Sequence, residues 1–489
     1  MIMETQQLLW IVALPLLGAI AIGLVGQRFA NLREAITLIC GICLAWLVWS
    51  LLPEVINGAQ PQAHLTTLLP GVEIGFRIEP LGMIFAALAS LLWIVNSIYS
   101  IGYMRGNKEH HQTRFYVCFA VAIAGAMGVA MAENLLTLFV FYEVLTLSTY
   151  PLVSHKGDAK SVASARVYLG VLLATSMGLL LPAIIWTYSA TGTLTFTTGG
   201  ILTGAIAGPA VALLLALFVF GTGKAALMPV HRWLPSAMVA PTPVSALLHA
   251  VAVVKAGVFT ITKIVIYIFG IDFLASSSAA DWLVYAAIFT IITASFIALR
   301  QTNLKRLLAY STIAQLSYVI LATALLMPLS IMAAALHIVA HAFGKITLFF
   351  AAGSIYTASK KTELNQLHGI GRRMPWTMAA FTIGALSMIG IPPTAGFISK
   401  WYLLTGSFQA ENYIAMAAIV VSTLLNAAYF LPIVYSAWFK AEVVPPVKDH
   451  REAPLAIVIA LTFTATLTII FFWINQPALA LAAQLVGAN

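Results

Sequence analysis

The sequence predicts an all-α protein that crosses a membrane many times. Hydrophobic residues make up 61% of its 489 residues and charged residues only 8%, far below the roughly 25% charged content of a soluble domain. The apolar residues form runs of about 20, the length of one helical crossing. The formal charge of +9 is spread over short loops, whereas a nucleic-acid-binding domain would gather it into one basic patch.

Counting about 20 apolar residues for each crossing gives fourteen predicted spans. We number them span 1 to span 14, near residues 7-26, 32-52, 80-103, 114-132, 134-153, 163-189, 207-229, 241-268, 282-299, 307-327, 329-356, 375-408, 412-438 and 454-474. We expect span 1 to be retained, because the N-terminus carries Glu4 and lacks the basic region and cleavage site of a signal peptide. The longest predicted loop covers residues 53-79.

The basic residues in the loops predict the orientation. Of the 25 Lys and Arg residues, nineteen lie in loops that follow odd-numbered spans, including Lys448 and Arg451 after span 13. Arg77 alone lies in the other loops and the termini, and the remaining five lie inside spans. The positive-inside rule therefore predicts a multi-pass protein of the cell inner (plasma) membrane, with both termini outside.

Two spans combine helix-breaking residues with a lysine. In span 7, Lys224 lies between Gly223 and Pro229, and in span 12 the pair Pro392 and Pro393 precedes Lys400. The predicted orientation makes these two spans run in opposite directions. Broken helices in corresponding places of two halves are typical of transporters built from inverted repeats.

The predicted organisation is therefore one membrane domain over residues 1-489. Spans 1 to 3 form a peripheral part, and two inverted repeats of five spans each follow. The boundaries are 1-113 for the peripheral part, 114-268 and 282-438 for the repeats, and 439-489 for span 14 with the C-terminus.

Eight protonatable residues inside the spans are candidates for a proton relay, and we call them the relay residues. An ionisable group near the bilayer centre costs at least about 2.5–3.5 kcal/mol and is usually functional. The relay residues are Glu143, Lys224, His249, Lys255, His337, His341, Lys345 and Lys400. Glu143 is the expected counter-charge of Lys224, because a nearby carboxylate stabilises the charged form of a buried lysine. The alternatives are a structural hydrogen-bond anchor for Glu143 and lysines that extend to the membrane surface.

His337, His341 and Lys345 follow each other at a spacing of four residues in span 11. On a regular helix they lie on nearly one face over about 12 Å. Imidazole both takes and gives a proton near neutral pH, which favours a relay. A metal site is the alternative, because two histidines four apart are a usual ligand pair. It is less favoured because no third carboxylate or thiol lies near and Lys345 would repel a cation, so we expect no metal and no cofactor.

Span 8 carries His249 and Lys255 six residues apart. On a regular helix they point about 120° apart and differ by about 9 Å in height, so they cannot share one contact but can be successive stations. A buried structural role is the alternative for each. Lys263, near the outer end of the span, is expected to extend to the membrane surface and is left out of the relay.

Three cysteines, Cys40, Cys43 and Cys118, are too few for a disulfide framework. We expect buried, inert thiols there, with a metal or redox role as the less favoured alternative.

Four stretches resemble a known family of membrane subunits. They are "GTGKAALMPVHRWLPSAMVAPTPVSALLHA", "LKRLLAYSTIAQLSYV", "HIVAHAFGKITLFFAAGSI" and "GIPPTAGFISKWYL". They are similar to the proton-translocating antiporter-like subunits shared by respiratory complex I, Mrp-type multisubunit cation/proton antiporters and membrane-bound hydrogenases. The resemblance covers spans 4 to 12. It implies a fourteen-helix fold with two inverted repeats, broken spans 7 and 12, and a polar axis at mid-membrane.

The resemblance also implies roles for the relay residues. Lys224, with Glu143 of span 5, would load protons, His249, Lys255 and the span 11 residues would pass them on, and Lys400 would connect to the other side. Lys400 argues against the complex I M-type subunit, which carries glutamate there, and the end after span 14 leaves no room for the lateral helix of the L-type subunit.

An Mrp D-type subunit fits the length and layout best, so the expected function is proton conduction within a sodium/proton antiporter. Other membrane subunits would be its partners, and it would have no catalytic chemistry of its own. A proton-pumping subunit of a complex I-like NADH:quinone oxidoreductase, a hydrogenase or an inorganic-carbon-uptake complex is the alternative. A stand-alone solute transporter and a subunit with an inactive channel are less favoured.

Overall fold

The structure, a computed structural model, describes residues 2–69, 72–442 and 451–487 and is almost entirely helical. Within this part, twelve helices are long and apolar enough to cross a membrane. They correspond to spans 1 to 6, 8 to 11, 13 and 14. Their bounds are Ile2–Val25, Ala30–Ser50, Pro80–Gly106, Gln112–Ala130, Leu135–Val153, Ala159–Thr191, Thr242–Phe269, Asp281–Leu299, Leu304–Ala324, Pro328–Ser359, Tyr413–Phe439 and Leu455–Trp473. The prediction of an all-α polytopic membrane protein is confirmed.

Spans 7 and 12 are broken where the sequence predicts. Span 7 has a helix at Pro209–Gly221, a 3₁₀ turn at Gly223–Ala225 and short turns of helix at Trp233–Ser236 and Ala237–Val239, so it extends beyond the predicted residue 229. Span 12 consists of the helices Pro375–Ile389 and Ala395–Gln409. Each lysine beside a break is therefore surrounded by backbone groups that no helix satisfies.

The predicted loop 53-79 is instead a folded cap. It contains a short helix, Leu52–Ile56, and an antiparallel pair of strands, β1 at Gln62–Leu69 and β2 at Val72–Arg77. Ala63, Val72 and Phe76 of the hairpin are buried, and Gly75 also bonds to span 5. Both strands are short and carry polar residues between the apolar ones, which explains why a search for long apolar runs misses them.

Short helices elsewhere connect or follow the spans. They lie at Ile271–Ser277, Leu364–Leu367, Ile370–Arg372 and Gln476–Gln484. The linker 443–450, including Lys448, and the extreme termini lie outside the described residues.

Spans 3, 8, 10 and 11 form the centre of the molecule. The most apolar windows of spans 8 and 11 are completely buried within the protein, whereas only 39% and 33% of the residues in those of spans 1 and 2 are buried. Cys43 of span 2 is exposed, and Cys40 and Cys118 are partly buried. The expectation of buried thiols is therefore wrong for Cys43, because span 2 packs at the edge of the bundle and one face is free of protein.

Span 8 is not a regular helix. It contains π-helical segments at Leu247–Val251 and Val265–Phe269, and between the first of these and the following helix Ala252 has φ −124° and ψ −64°. The regular-helix geometry assumed for His249 and Lys255 does not hold, because the π-helical turn and the bend lie between them. π-Helical turns inside α-helices are frequent at functional sites. A third such segment lies in span 6, at Ser176–Leu180.

Candidate functional site

Lys224 lies in the break of span 7 and is completely buried. Its ammonium donates to the Tyr142 carbonyl at 2.8 Å and to the Thr146 hydroxyl at 2.5 Å, and it lies over the Tyr142 ring, 3.1 Å from its centre. Trp233, beyond the break, donates to the Gly223 carbonyl at 2.9 Å. Span 5 thus surrounds the ammonium with neutral oxygen atoms and one aromatic face.

Glu143 lies on span 5 between the two residues that contact Lys224. Its carboxylate is buried, and neither oxygen has a hydrogen-bond partner in the described part of the chain. No ion pair joins it to Lys224 within 4.0 Å among these residues. The predicted pairing therefore stays a prediction, and the structure holds the two groups side by side without direct contact.

Gly257 of span 8 packs directly against the broken segment that carries Lys224. A Cβ atom added there would lie 2.3 Å from the Ala225 nitrogen and 2.4 Å from the Lys224 carbonyl carbon. Backbone atoms cannot yield as a flexible side chain can. The position of Lys224 therefore requires a residue without a side chain, glycine, at position 257.

We expect Gly257→Ala to destabilise the protein by about 1–3 kcal/mol, because overpacking forces the backbone to shift. The measurement is the thermal unfolding of the detergent-solubilised protein. Gly170→Ala is the matched control, because a Cβ at that helical position meets no atom within 4 Å. Equal unfolding temperatures for the two variants would contradict the close contact.

His249 and Lys255, both on span 8, have different surroundings. Lys255 lies 2.5 Å from Nδ1 of His341, measured from its amine nitrogen. The His249 ring packs on Phe349, 4.7 Å between centres, and its two nitrogens have no hydrogen-bond partner among the residues described. As the sequence predicts, the two residues share no contact.

The three polar residues of span 11 contact three different spans. His341 contacts Lys255 of span 8, and His337 Nδ1 lies 2.8 Å from the hydroxyl of Ser399 in span 12. Lys345 donates to Ser311 of span 10 at 2.7 Å. The two imidazoles are stacked, with 6.0 Å between their centres. The polar face predicted for span 11 thus contacts spans 8, 10 and 12.

Lys400 completes this series beyond the break in span 12. Its ammonium donates to the carbonyl oxygens of Met388 and Ile389, both at 2.9 Å, and to Thr423 at 3.4 Å. These carbonyls are free because the first half of the span ends there. Gly390 has a φ of +91°, and a Cβ on it would lie 2.7 Å from the Lys400 side chain. The break therefore both supplies the ligands of Lys400 and leaves room for its chain.

Buried polar atoms without a protein partner are concentrated around these residues. Among the described residues they include Nε2 of His337 and His341, both nitrogens of His249, and the hydroxyls of Ser317 and Tyr318. Leaving a buried polar group unpaired costs about 1–3 kcal/mol. Water is the usual partner of such groups, which makes this region suited to an internal water chain.

Lys263 does not extend to the membrane surface, so that prediction is wrong. Its side chain is 1% exposed and forms an ion pair with Glu79, 2.9 Å between amine nitrogen and carboxylate oxygen. It also donates to the Ala132 carbonyl at 2.8 Å. Glu79 caps the start of span 3, and its position just before the apolar run conceals the pairing in the sequence. Opposite charges close together make burial possible where an isolated lysine would move outward.

Several residues that contact the relay were missed in the sequence. Tyr142, Thr146 and Ser399 hold Lys224 or His337 directly. Tyr142 directly precedes Glu143 in the chain, and Ser399 directly precedes Lys400. This adjacency is the only sequence signal for them. Within residues 2–69, 72–442 and 451–487, no three side chains of His, Cys, Asp or Glu are grouped so that they could hold a metal ion.

Comparison with known proteins gives consistent matches. The profile of the family described as "NADH:quinone oxidoreductase/Mrp antiporter, TM" matches residues 132–426. The NADH-quinone oxidoreductase subunit N of Desulforudis audaxviator is 32% identical over 450 residues, which cover 91% of this chain and 89% of that protein. The NAD(P)H-quinone oxidoreductase chain 5 of Synechocystis is also 32% identical, over 434 residues. This chain spans only 62% of that longer relative.

Two solved structures share the fold. One is a chain of the membrane-bound sulfane sulfur reductase, an archaeal respiratory membrane complex, and the other is a chain of the Mrp complex from Dietzia. Each superposes with a TM-score of 0.86 at 24% sequence identity. The matches cover 98% and 99% of this chain and 97% of each solved chain.

Proposed function

Because this chain belongs to the NADH:quinone oxidoreductase/Mrp antiporter transmembrane family, we propose that it conducts protons along its relay residues as one subunit of a larger membrane complex. The resemblance seen in the four sequence motifs is thereby confirmed at the level of the family. The relatives are named as subunits, which supports the proposed membrane partners. The boundaries of the two inverted repeats and the individual roles of the relay residues are part of the proposal.

One observation carries the proposal. The Lys255 amine and Nδ1 of His341 lie 2.5 Å apart, and the stacked ring of His337 continues from His341 to Ser399. Ser399 immediately precedes Lys400 in the chain. Protonatable groups therefore run almost continuously from span 8 to the break of span 12, and all of them are buried within the protein.

The first predicted repeat, which contains Glu143 and Lys224, would supply protons to this series of residues. Glu143 beside Lys224 can stabilise the charged lysine when it moves closer and favour proton release when it moves away. Between Lys224 and Lys255 no direct contact is present among the described residues, so a water molecule would have to bridge them. His249 lies on span 8, as Lys255 does, and its two ring nitrogens have no protein partner among the described residues. It is therefore available to receive such a bridge. With the orientation predicted from the loop charges, Lys224 lies towards the cytoplasm.

Lys224→Ala tests the proposal. We expect proton transfer by inside-out vesicles that carry the assembled complex to fall at least about 100-fold, because a general acid–base group contributes about 10²- to 10⁴-fold. Proton movement is followed with a pH-sensitive dye. Lys160→Ala is the matched control, since Lys160 is an exposed lysine at the start of span 6. Undiminished transfer by the Lys224 variant in an intact complex would refute the proposed relay.

We propose further that the complex is an Mrp-type sodium/proton antiporter, in which this chain is the D-type subunit. The layout of the spans and the lysine at position 400 support this, whereas the fold is shared equally with chains of the Dietzia Mrp complex and of the sulfane sulfur reductase. A redox-driven quinone oxidoreductase is the second candidate, favoured by the 32% identity to a protein named as its subunit N. In either case the proposal assigns catalytic and cofactor chemistry to other subunits of the complex.

Identifying the co-purifying subunits separates the two candidates. An antiporter complex would exchange sodium for protons in vesicles without an electron donor. A quinone oxidoreductase would need NADH and quinone and would bring cofactor-binding subunits with it. Sodium-dependent exchange by the purified complex supports the first candidate, and electron-dependent proton pumping supports the second.

A further inference from the structure

A cavity of about 610 Å³ extends into the second half of the protein. It lies between spans 9, 10 and 13 and the loop after span 11, and its mouth includes the exposed residues Asn365 and Lys440. Glu363 and His368 also line it. These loops are among the lysine- and arginine-rich ones, so the cavity opens at the same face of the protein as those loops. Its wall on span 13 includes Tyr429, which is 4% exposed.

Two hydrogen bonds connect this cavity to a relay residue. The Tyr429 hydroxyl donates to the hydroxyl of Ser311 at 3.1 Å. The same Ser311 oxygen accepts from the amine of Lys345 at 2.7 Å. Oδ1 of Asn426 makes a short contact with the same Tyr429 hydroxyl and is the alternative acceptor for its single proton. A phenol that lines this cavity is thus two hydrogen bonds away from Lys345.

We propose that this cavity is a second proton entrance, which loads Lys345 through Tyr429 and Ser311. The inference rests on the proposed proton relay and adds an entry point in the second half that must be loaded together with Lys224 in each transport cycle, so that blocking either one slows proton transfer. It also gives Lys345 a role of its own. Lys345 does not contact His341 directly among the described residues. It is therefore a branch of the series of relay residues and not a step between His341 and His337.

The transfer needs no group that the chain lacks. A neutral Lys345 amine accepts the proton of the Ser311 hydroxyl, and Ser311 takes the Tyr429 proton at the same time. A hydronium ion that reaches the cavity from bulk water gives its excess proton to the Tyr429 oxygen and leaves as neutral water, so that both hydroxyls end unchanged and Lys345 carries one added positive charge. The aromatic ring of Phe430, whose centre is 5.7 Å from the Lys345 amine, favours that charge.

Tyr429→Phe tests the entrance, because it removes the hydroxyl and keeps the ring. We expect proton transfer in vesicles with the complete complex to fall at least about tenfold, equivalent to about 1.4 kcal/mol on the barrier. Tyr435→Phe is the matched control, since Tyr435 lies on the same span and is 57% exposed. Equal rates for the two variants would overturn the entrance.

A second measurement reports on access alone. In a background with Cys40, Cys43 and Cys118 replaced by serine, Ala428→Cys places a thiol in the cavity wall beside Tyr429. We expect a charged, membrane-impermeant thiosulfonate added at the lysine-rich face to modify it and to slow proton transfer. Leu424→Cys, on the same span but outside the cavity lining, is the control that should not react.

The outcomes distinguish this inference from the proposed function. If Lys224→Ala stops transfer while Tyr429→Phe and modified Ala428→Cys retain the full rate, the second entrance is wrong and the relay stands. If Lys224→Ala retains the full rate of proton transfer, the proposed relay is refuted. Failure of the reagent to reach Ala428→Cys would overturn the entrance in either case.

Discussion

Lys400→Met is expected to lower proton transfer by the assembled complex at least about 100-fold, which corresponds to about 2.7 kcal/mol on the barrier. The methionine side chain fills most of the space of lysine but carries no proton. Lys400 is the last relay residue of the line, and no other protonatable relay residue lies beyond it in span 12. The whole proton flux through the proposed outlet would therefore depend on this amine.

The surroundings of Lys400 favour a functional loss over an unfolding one. The Met388 and Ile389 carbonyls that accept from its amine lie at the broken end of a helix, where such groups are commonly satisfied by water. Gly390 leaves room for an unbranched chain at this position, and methionine is unbranched as well. We therefore expect normal amounts of assembled complex in the membrane.

Proton uptake by vesicles and the yield of the purified complex measure these two effects separately. Lys160→Met is the matched control, because Lys160 is an exposed lysine at the start of span 6, away from Lys400 and from the cavity. A Lys400→Met complex that assembles and transfers protons at the rate of this control would show that Lys400 is only a structural anchor of the broken helix.

His341→Phe is expected to give the second large effect, a decrease in proton transfer of at least about tenfold with assembly retained. His341 provides the direct contact from Lys255 on span 8 to the polar residues of span 11. Phenylalanine removes both ring nitrogens, fills the site and excludes water. His341→Ala removes the same nitrogens but leaves space that water can occupy, so we expect it to transfer protons faster than the phenylalanine variant.

The order of these two variants is the informative result. Single-turnover proton release after a pH jump in vesicles would compare them directly, with His110→Ala as a control in an exposed loop. If phenylalanine at residue 341 transfers protons as fast as histidine, the span 11 residues serve as scaffold and the connection between the halves must run elsewhere.

The architecture was largely predictable because local composition determines which segments cross a membrane. A run of about 20 apolar residues forms a helix in a bilayer irrespective of what surrounds it, since the backbone must satisfy its own hydrogen bonds there. The breaks at Lys224 and Lys400 were predictable for a similar reason, because glycine and proline act on the adjacent turn. The strands Gln62–Leu69 and Val72–Arg77 were missed because each is short and mixes polar with apolar residues.

The failures concern contacts between distant parts of the chain. Lys263 was expected at the surface because the sequence does not reveal that Glu79, 184 positions earlier, supplies its counter-charge. The π-helical turn at Leu247–Val251 arises in a stretch with ordinary helix-forming residues. Helical periodicity alone therefore gave the wrong geometry between His249 and Lys255.

The sequence by itself determined the fold class, the places of most spans, the two broken helices and the family, together with most of the buried protonatable residues. Only the tertiary structure decided how those residues are connected: Lys255 to His341, His337 to Ser399, and Lys345 to Ser311. The physical reason is the range of the forces involved. Transfer of apolar runs into a bilayer depends on neighbouring residues, whereas a hydrogen bond of 2.5–2.8 Å between spans depends on the packing of whole helices.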